Sequence, residues 1–466
     1  MIRSPAGFDG GDRIKRYLDY YQPSYGVMML SAGQFSPASL FAAGEQGAWY
    51  DPSDLSTMFQ DAAGTTPVTA VEQPVGKILD KSGRGNHASQ STAASRPVLS
   101  ARVNLLTYSE QFDNAAWTKQ NGAISANAET APNGTLTADK FTPTAAASVD
   151  HRVITGVITT TGGYTLALYV KPAGYSKFGF RNGAVGEHAT FNLSGAGAVI
   201  EVNSCTATIT AEPDGWYKVQ IVDTSASIRC DMWPLDDGYT SGSPGSYSYT
   251  GDGTSGIYIW GADLRVTNDG VGLPAYQRVA AATDYDTSGF PLYLKFDGVD
   301  DSLATGSIDP GAVDKAQVFA GVRKLSDAAR AMFAETGSDA TGAFRLEAPN
   351  AAGNYVFTSR GSAASAAAAV ATVYNAPITN VVTGLGDIIA DTTIIRINNT
   401  QIGSSSADQG TGYFSSYPLY IGRRGGSTLP FNGNLYSLIV RFSAANLSDA
   451  QIASTETWVN GKTKAY

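Results

Sequence analysis

The chain of 466 residues carries two cysteines and three histidines: Cys205, Cys230, His87, His151 and His188. That set is too small for a typical Cys/His zinc site or a disulfide framework. The cysteines stand in neighbouring apolar-alternating stretches. They read as half-buried free thiols, although facing strands would bring them together. No G-x-S-x-G elbow, phosphate-binding loop, dinucleotide fingerprint or H-E-x-x-H helix occurs. Among the 41 acidic residues no pair is diagnostic of a glycosidase, which needs two facing carboxylates at a set separation. The chain therefore reads as a non-enzyme.

Three groups of residues could do noncovalent chemistry. The first is the stretch 233–253, with Trp233, Asp236, Asp237, Tyr239, Tyr247, Tyr249 and Asp252 among glycines and serines. Aromatic faces suit the apolar faces of sugars, and carboxylates suit their hydroxyls. Tyr and Ser on Gly-rich loops also make adaptable binding surfaces. The alternative is a loop packed on a neighbouring subunit, or simply exposed. The second group is Asp297, Asp300 and Asp301, hard oxygen donors of the kind calcium takes, with Asp51, Asp54 and Asp80 as further acids that folding could bring near. No EF-hand pattern accompanies them. Turn chemistry competes, with Asp accepting backbone N–H groups and Gly298 taking the special dihedral. No other cofactor is implied. The third group is Ile14, Tyr17, Leu18 and Tyr21, which share one face of a short helix over 12–21. Gly26 and Gly33 break any continuation. This segment is either an anchor on a partner protein or a flap on its own chain.

These groups need elements to hold them. Residues 45–100 read as short strands and turns, with Gly83 and Gly85 suited to positive φ. Residues 101–288 are strongly β-like. In 163–170, Tyr164, Leu166 and Leu168 alternate with Thr165, Ala167 and Tyr169, the period of a half-buried strand. Residues 216–222 and 256–266 read the same way. Strands follow at 292–296, 316–322, 392–397, 419–422 and 435–442. The Ala-rich run 362–373 has helix propensity, but its Ser and Thr content favours strand plus turn. The stretch 447–459 differs: Ser448 can cap, Gln451 sits at the third helical position, and Ile452 and Trp458 can face inward, which predicts a short C-terminal helix. Trp117, Trp216, Trp260 and Trp458 lie in such patterns and read as core. Strands about every 10 residues with turn-rich loops suggest β-sandwiches.

Composition narrows the partners. Net charge is -9 and charged residues make up 16%, so clustered Lys and Arg for duplex DNA are missing. No apolar run approaches the ~20 residues of a membrane-spanning helix, and the N-terminus shows no apolar leader region. The reading is no nucleic acid and no membrane insertion.

The run FDGVDD, Phe296 to Asp301 with Leu303 after it, together with FNGNLYSLIVRF at 431–442 and the terminal LSDAQI, resembles the concanavalin A-like lectin/LamG jelly rolls. Trp49, Tyr50 and Asp51, the run 80–88 and Arg96-Pro97 match the segment that precedes FDGxDDxL in that family. Here a long block intervenes, so the resemblance implies a discontinuous domain. Within the block, 104–117 and 251–264 resemble carbohydrate-binding-module-like jelly rolls of phage and prophage tail proteins. With 44–68 the whole looks like phage tail-fibre, head-spike or minor virion proteins.

The expected fold is all-β, with two jelly-roll β-sandwiches, one inserted into the other, a short N-terminal attachment segment and a short C-terminal helix. Residues 1–44 would attach to the virion, 45–100 and 289–466 would form the concanavalin A-like/LamG sandwich, and 101–288 the inserted carbohydrate-binding-module-like jelly roll. The function implied is noncovalent recognition of host polysaccharide or lipopolysaccharide by a tail-fibre or baseplate receptor-binding protein. A homotrimer contacting other virion proteins is expected, assembled in the host cytoplasm and located on the virion. The competing reading is a capsid decoration or spike protein. Shared fold alone does not transfer sugar binding.

Overall fold

Period-two patterning builds the sheets. In strand Tyr164–Ala173, Tyr164, Leu166, Leu168 and Val170 enter a core, while Thr165 and Tyr169 turn away from it. Its partner Gly256–Val266 carries a bulge opposite Leu168, where the register shifts between Ala167 and Tyr169. Gly261 sits in that bulge at φ 66, a conformation that side-chain-bearing residues resist.

The computed structural model describes residues 35–159, 162–267, 269–363 and 367–466. Pro37–Tyr466 form one compact unit. The expected anchor residues Ile14, Tyr17, Leu18 and Tyr21 lie outside the described residues. The fold is all-β, built of sandwiched antiparallel sheets. Among the described residues there is one α-helix, at the C-terminal end. No described helix is long and apolar enough to cross a membrane.

The first sandwich packs an eight-stranded sheet on a nine-stranded one. Strand Asn432–Ser443 is central to the former. It pairs along one side with Lys315–Lys324, and on the other with Gln46–Tyr50 and Tyr293–Asp297. Trp49 lies opposite Ile439, and Phe296 opposite Gly433. Strand Val98–Ser100 continues the sheet beside Tyr293–Asp297, and Ala88–Ser89 joins the second sheet beside Leu303–Ile308. One core of buried side chains runs through all of these, including Tyr50, Ile78, Leu99, Phe296, Phe333, Phe357 and Leu438. Chain from before residue 101 and from after residue 292 thus shares one core. The Ala-rich run contributes strand Ala367–Ala371, as its composition predicts.

The turn-rich run after Asp80 locks the first strand in place. Asp80 accepts hydrogen bonds from the Trp49 N–H at 2.9 Å, the Ser82 N–H at 2.8 Å and the Asn86 N–H at 3.0 Å. The Tyr50 hydroxyl donates to the Asn86 carbonyl at 2.5 Å. Gly83 and Gly85 take φ 83 and 78, the left-handed region expected of them.

The second sandwich lies wholly between residues 105 and 266. Two six-stranded sheets enclose a separate core of Phe112, Trp117, Phe141, Phe178, Phe180, Phe191 and Ile221, among others. Trp216 and Trp260 pack in a smaller cluster with Tyr169 and Tyr276. Cys205 and Cys230 are both free thiols; burial holds the Cys230 thiol far above its usual range.

The C-terminal helix, Asp449–Thr463, starts as its sequence predicts. The Ser448 hydroxyl accepts the Gln451 N–H, and the Gln451 side chain accepts the Ser448 N–H. The helix runs to Thr463, beyond the stretch that the sequence delimits. Ile452, Val459 and Thr463 are buried against the sheet, while Trp458 packs edge-on to Trp49 with ring centroids 5.4 Å apart.

Candidate functional site

The outward face of one six-stranded sheet in the second sandwich carries several buried polar groups with spare bonding capacity. Its strands run Ala198–Asn203, His188–Asn192, Lys177–Asn182, Cys230–Leu235, Arg152–Ile154 and Thr118–Gln120. Alternation assigns the faces. Phe178, Phe180, Ala189, Phe191, Cys230 and Met232 enter the core. Gly179, Arg181, His188, Thr190, Asp231 and Trp233 therefore point outward. Register aligns them: Gly179 faces both Thr190 and Trp233, and Arg181 faces both His188 and Asp231.

Trp233 is the floor. The Arg152 and Arg181 guanidiniums lie over its ring, 5.7 and 5.9 Å from the centroid. The arginines differ in their electrostatic partners. Arg229 grips Asp231 with two hydrogen bonds of 2.8 and 2.7 Å. Arg152 stands 3.2 Å from Asp150 and 3.7 Å from Asp231. Arg181 has no carboxylate partner among the described residues, and its Nε is buried without an acceptor. The Trp233 Nε1, the His188 Nε2 and the Glu187 Oε2 are likewise buried without hydrogen-bond partners; His188 Nε2 lies 3.9 Å from Glu201. Buried polar groups left so cost free energy, and they cluster where something else completes them.

The loop singled out from sequence folds over this face. Gly179 makes that possible: a Cβ there would stand 2.7 Å from the Pro244 Cβ. Tyr239 is fully buried, donates to the Gly242 carbonyl at 2.5 Å and packs on Trp233 and Leu235. Trp233 is 1% exposed and Tyr249 7%, so these rings serve packing and offer no open stacking surface. Tyr249 donates to the Pro234 carbonyl at 2.9 Å and packs at a tilt beside His151, ring centroids 4.6 Å apart. Tyr247 is half-buried. Its ring is edge-on to Tyr239 at 5.1 Å, and its hydroxyl donates to Asp236 at 2.5 Å. Burial, with that carboxylate beside it, pushes the Tyr247 hydroxyl up to about 12.

The loop's acids divide in the same way. Asp236 also receives the Gly238 N–H, and exposed Asp237 receives the Ser176 hydroxyl at 2.8 Å. Asp252 is exposed and caps its own turn; the Ser255 hydroxyl, then the Thr254 and Ser255 N–H groups, hold its carboxyl well below the usual range. The structure therefore gathers Trp233, Asp236, Tyr239, Tyr247 and Tyr249 into one packed region. Asp252 does a turn's work.

Arg152, Arg181, His188 and Glu187 were not singled out from sequence. The signal present was the alternation in 177–181, Lys-Phe-Gly-Phe-Arg, which puts Lys177, Gly179 and Arg181 on one side. Nothing local says what covers that side.

Asp297, Asp300 and Asp301 do come together, their carboxylate oxygens within 4.8 Å of one another. Asp297 and Asp301 also build the turn, and Asp300 ties it to the segment around Ser95. Asp297 accepts the Val299 N–H at 2.8 Å, Asp301 accepts the Asp297 N–H at 3.0 Å, and Asp300 accepts the Ser95 hydroxyl at 2.7 Å. Gly298 takes φ 78, as turn chemistry requires. Burial, then the neighbouring carboxylates, raises the Asp301 carboxyl to about 7. Asp51, Asp54 and Asp80 are not part of this group. Asp51 pairs with Lys462 at 3.1 Å, Asp54 with Lys81 at 2.6 Å, and Asp80 holds its own loop.

No family model matches the sequence, and no curated protein matches it. Several solved structures are similar over part of the chain. The CBM40 domain of a Ruminococcus gnavus sialidase, bound to α2,3-sialyllactose, is 18% identical and covers 35% of this chain and 98% of that one, with a TM-score of 0.26. A SAP-like pentraxin from Limulus polyphemus is 13% identical, covering 34% and 78%, with a TM-score of 0.28. The botulinum neurotoxin serotype D ligand-binding domain, in complex with N-acetylneuraminic acid, is 14% identical, covering 41% and 47%, with a TM-score of 0.29.

Proposed function

We propose that the protein binds bacterial surface glycan noncovalently, through the outward face around Trp233 and the loop that covers it. One observation carries this reading: Arg181, His188 and Trp233 each present a buried polar atom without a hydrogen-bond partner on one sheet face. Arg181 supplies donors in a planar fork for the hydroxyl and ring oxygens of a sugar. Half-buried Tyr247 at the margin gives an apolar edge with a polar tip. No bond is made or broken in such binding.

The finer reading places this face on a phage particle, as a tail-fibre or baseplate receptor-binding protein. It rests on the resemblance of 44–68, 104–117 and 251–264 to virion proteins. In that role residues 1–44 attach to the particle and the sandwiches meet the host. Individual sugar contacts are weak, so copies in a homotrimer act through avidity.

The test is an array of bacterial lipopolysaccharides and capsular polysaccharides probed with the full chain and with Tyr247→Ala. Retention of a subset of glycans, weakened in Tyr247→Ala at unchanged melting temperature, is expected. Equal retention by both chains would remove the loop from the site, and no retention at all would end the glycan reading.

A further inference from the structure

A sizeable cavity lies elsewhere, where the second sandwich meets the first. It measures about 520 Å³ and is lined by side chains from both sandwiches. That volume is in the ~300–1,000 Å³ range of small-ligand sites, which occur preferentially at junctions between folded bodies. The second sandwich contributes Thr165 and Arg265, which lie opposite each other on paired strands, and Asp269 just beyond. The first contributes Tyr374, Asn380 and Asn398.

The walls mix polar and apolar surface and carry little uncompensated charge. Arg265 is held by Asp263 through two hydrogen bonds of 2.7 and 2.8 Å. Asp269 is held by Arg323 at 2.7 Å, and Arg323 is only 3% exposed. What stays available is hydrogen-bonding capacity without a free positive charge. The second carboxylate oxygen of Asp269 is buried with no partner. The Asn380 side-chain N–H group reaches only the Tyr355 hydroxyl, at a long 3.4 Å. Asn398 donates to Asn380 with one of its two amide hydrogens. Thr165 points outward from its sheet because Tyr164 and Leu166 fill the core. Half-buried Tyr374 adds an aromatic ring, and Val271, 54% exposed, adds apolar surface.

The walls are also fixed. The Val271 N–H donates to the Lys464 carbonyl at 2.7 Å, which ties this segment to the chain's last residues. The Val381 N–H donates to the Asn398 side chain at 2.9 Å, which fixes the opposite wall. A prearranged wall loses little freedom when a ligand enters.

We propose that this cleft is a second binding site, for a neutral polyhydroxylated ligand of mono- to disaccharide size. It is independent of the face around Trp233, since it shares no residue with it. An anionic ligand fits poorly, because Arg265, the arginine lining the cleft, is already paired with Asp263, and the carboxylate of Asp269 lines it too.

Saturation-transfer NMR of the full chain tests this with glucose, galactose, mannose, N-acetylglucosamine, rhamnose, lactose and maltose as probes. Thr165→Gln fills the cleft from a solvent-facing strand position and leaves the core untouched. Tyr374→Ala removes the ring, and its melting temperature reports whether it folds. Affinity for at least one probe should fall about tenfold or more in both variants, the equivalent of one or two hydrogen bonds, and persist in Arg181→Ala. If no probe binds, or if binding is lost in Arg181→Ala while Thr165→Gln binds as before, the cleft is not a sugar site.

Discussion

Replacing Asp301 by Asn should flatten the stability–pH profile of the first sandwich. Asp301 is 7% exposed and shares a turn with the carboxylates of Asp297 and Asp300. Its folded pKa of about 7 stands above the ordinary 3.8. A raised carboxyl pKa means that the folded state holds the proton more tightly than the unfolded chain does. The contribution is therefore fully present below about pH 4 and is lost as pH rises towards 7. At about 1.4 kcal/mol per pH unit, the loss is at most about 4 kcal/mol. Asn keeps the oxygen that accepts the Asp297 N–H and carries no charge at any pH. Calorimetric melts of both chains from pH 4 to 8 measure the effect. The Asn variant should gain on the parent steadily up to pH 7 and hold its gain above. Parallel curves would refute the electrostatic reading of this turn. Millimolar calcium separates a turn from a cation site. With turn building as the role of these acids, calcium leaves the parent's melting temperature unchanged at pH 8. A rise that Asp301→Asn abolishes would assign them to calcium instead.

Gly179→Val drives a side chain into Pro244 and should lift the covering loop, costing about 1–3 kcal/mol as overpacking does. Tryptophan emission should shift to the red as Trp233 meets water; an unchanged spectrum with unchanged stability would contradict the packing described. Arg396→Ala strands the buried Glu456 carboxylate, 1% exposed, and should cost up to about 3–5 kcal/mol by denaturant melts. Adding Glu456→Gln should restore most of that; no recovery would mean that lost packing, not the stranded charge, sets the cost. Deleting 103–286 with a short linker should leave a soluble first sandwich, because Ser100 and Tyr293 are paired on adjacent antiparallel strands. An insoluble product would argue against an inserted, separable second domain.

Sequence patterning showed the elements far better than it showed the site. The alternation at 164–170, the cap at Ser448 with Gln451, and the glycines after Asp80 are local signals, and each structure follows from its own few residues. The roles of the aromatic residues at 233–249 are not local. From sequence Trp233, Tyr239 and Tyr249 offered sugar-stacking faces. In the fold a neighbouring strand has a glycine where a side chain would stand, so the loop closes on the sheet and buries those rings. Arg181 gained its interest for the same reason. It is set beside an Asp231 that Arg229 has already paired, and that depends on strand register. The cleft between the sandwiches is built from residues more than a hundred positions apart, and no window of sequence holds its walls together.

The affinity of Arg181→Ala for whichever polysaccharide the full chain retains tests the glycan reading most directly. Arg181 makes no ion pair that the substitution would break, so folding should be spared and the melting temperature should match the parent's. A charge-assisted hydrogen bond contributes about 1.5–3 kcal/mol, so titration calorimetry should show affinity falling roughly 10- to 100-fold. Unchanged affinity in a folded Arg181→Ala chain would contradict the account and place recognition on another surface.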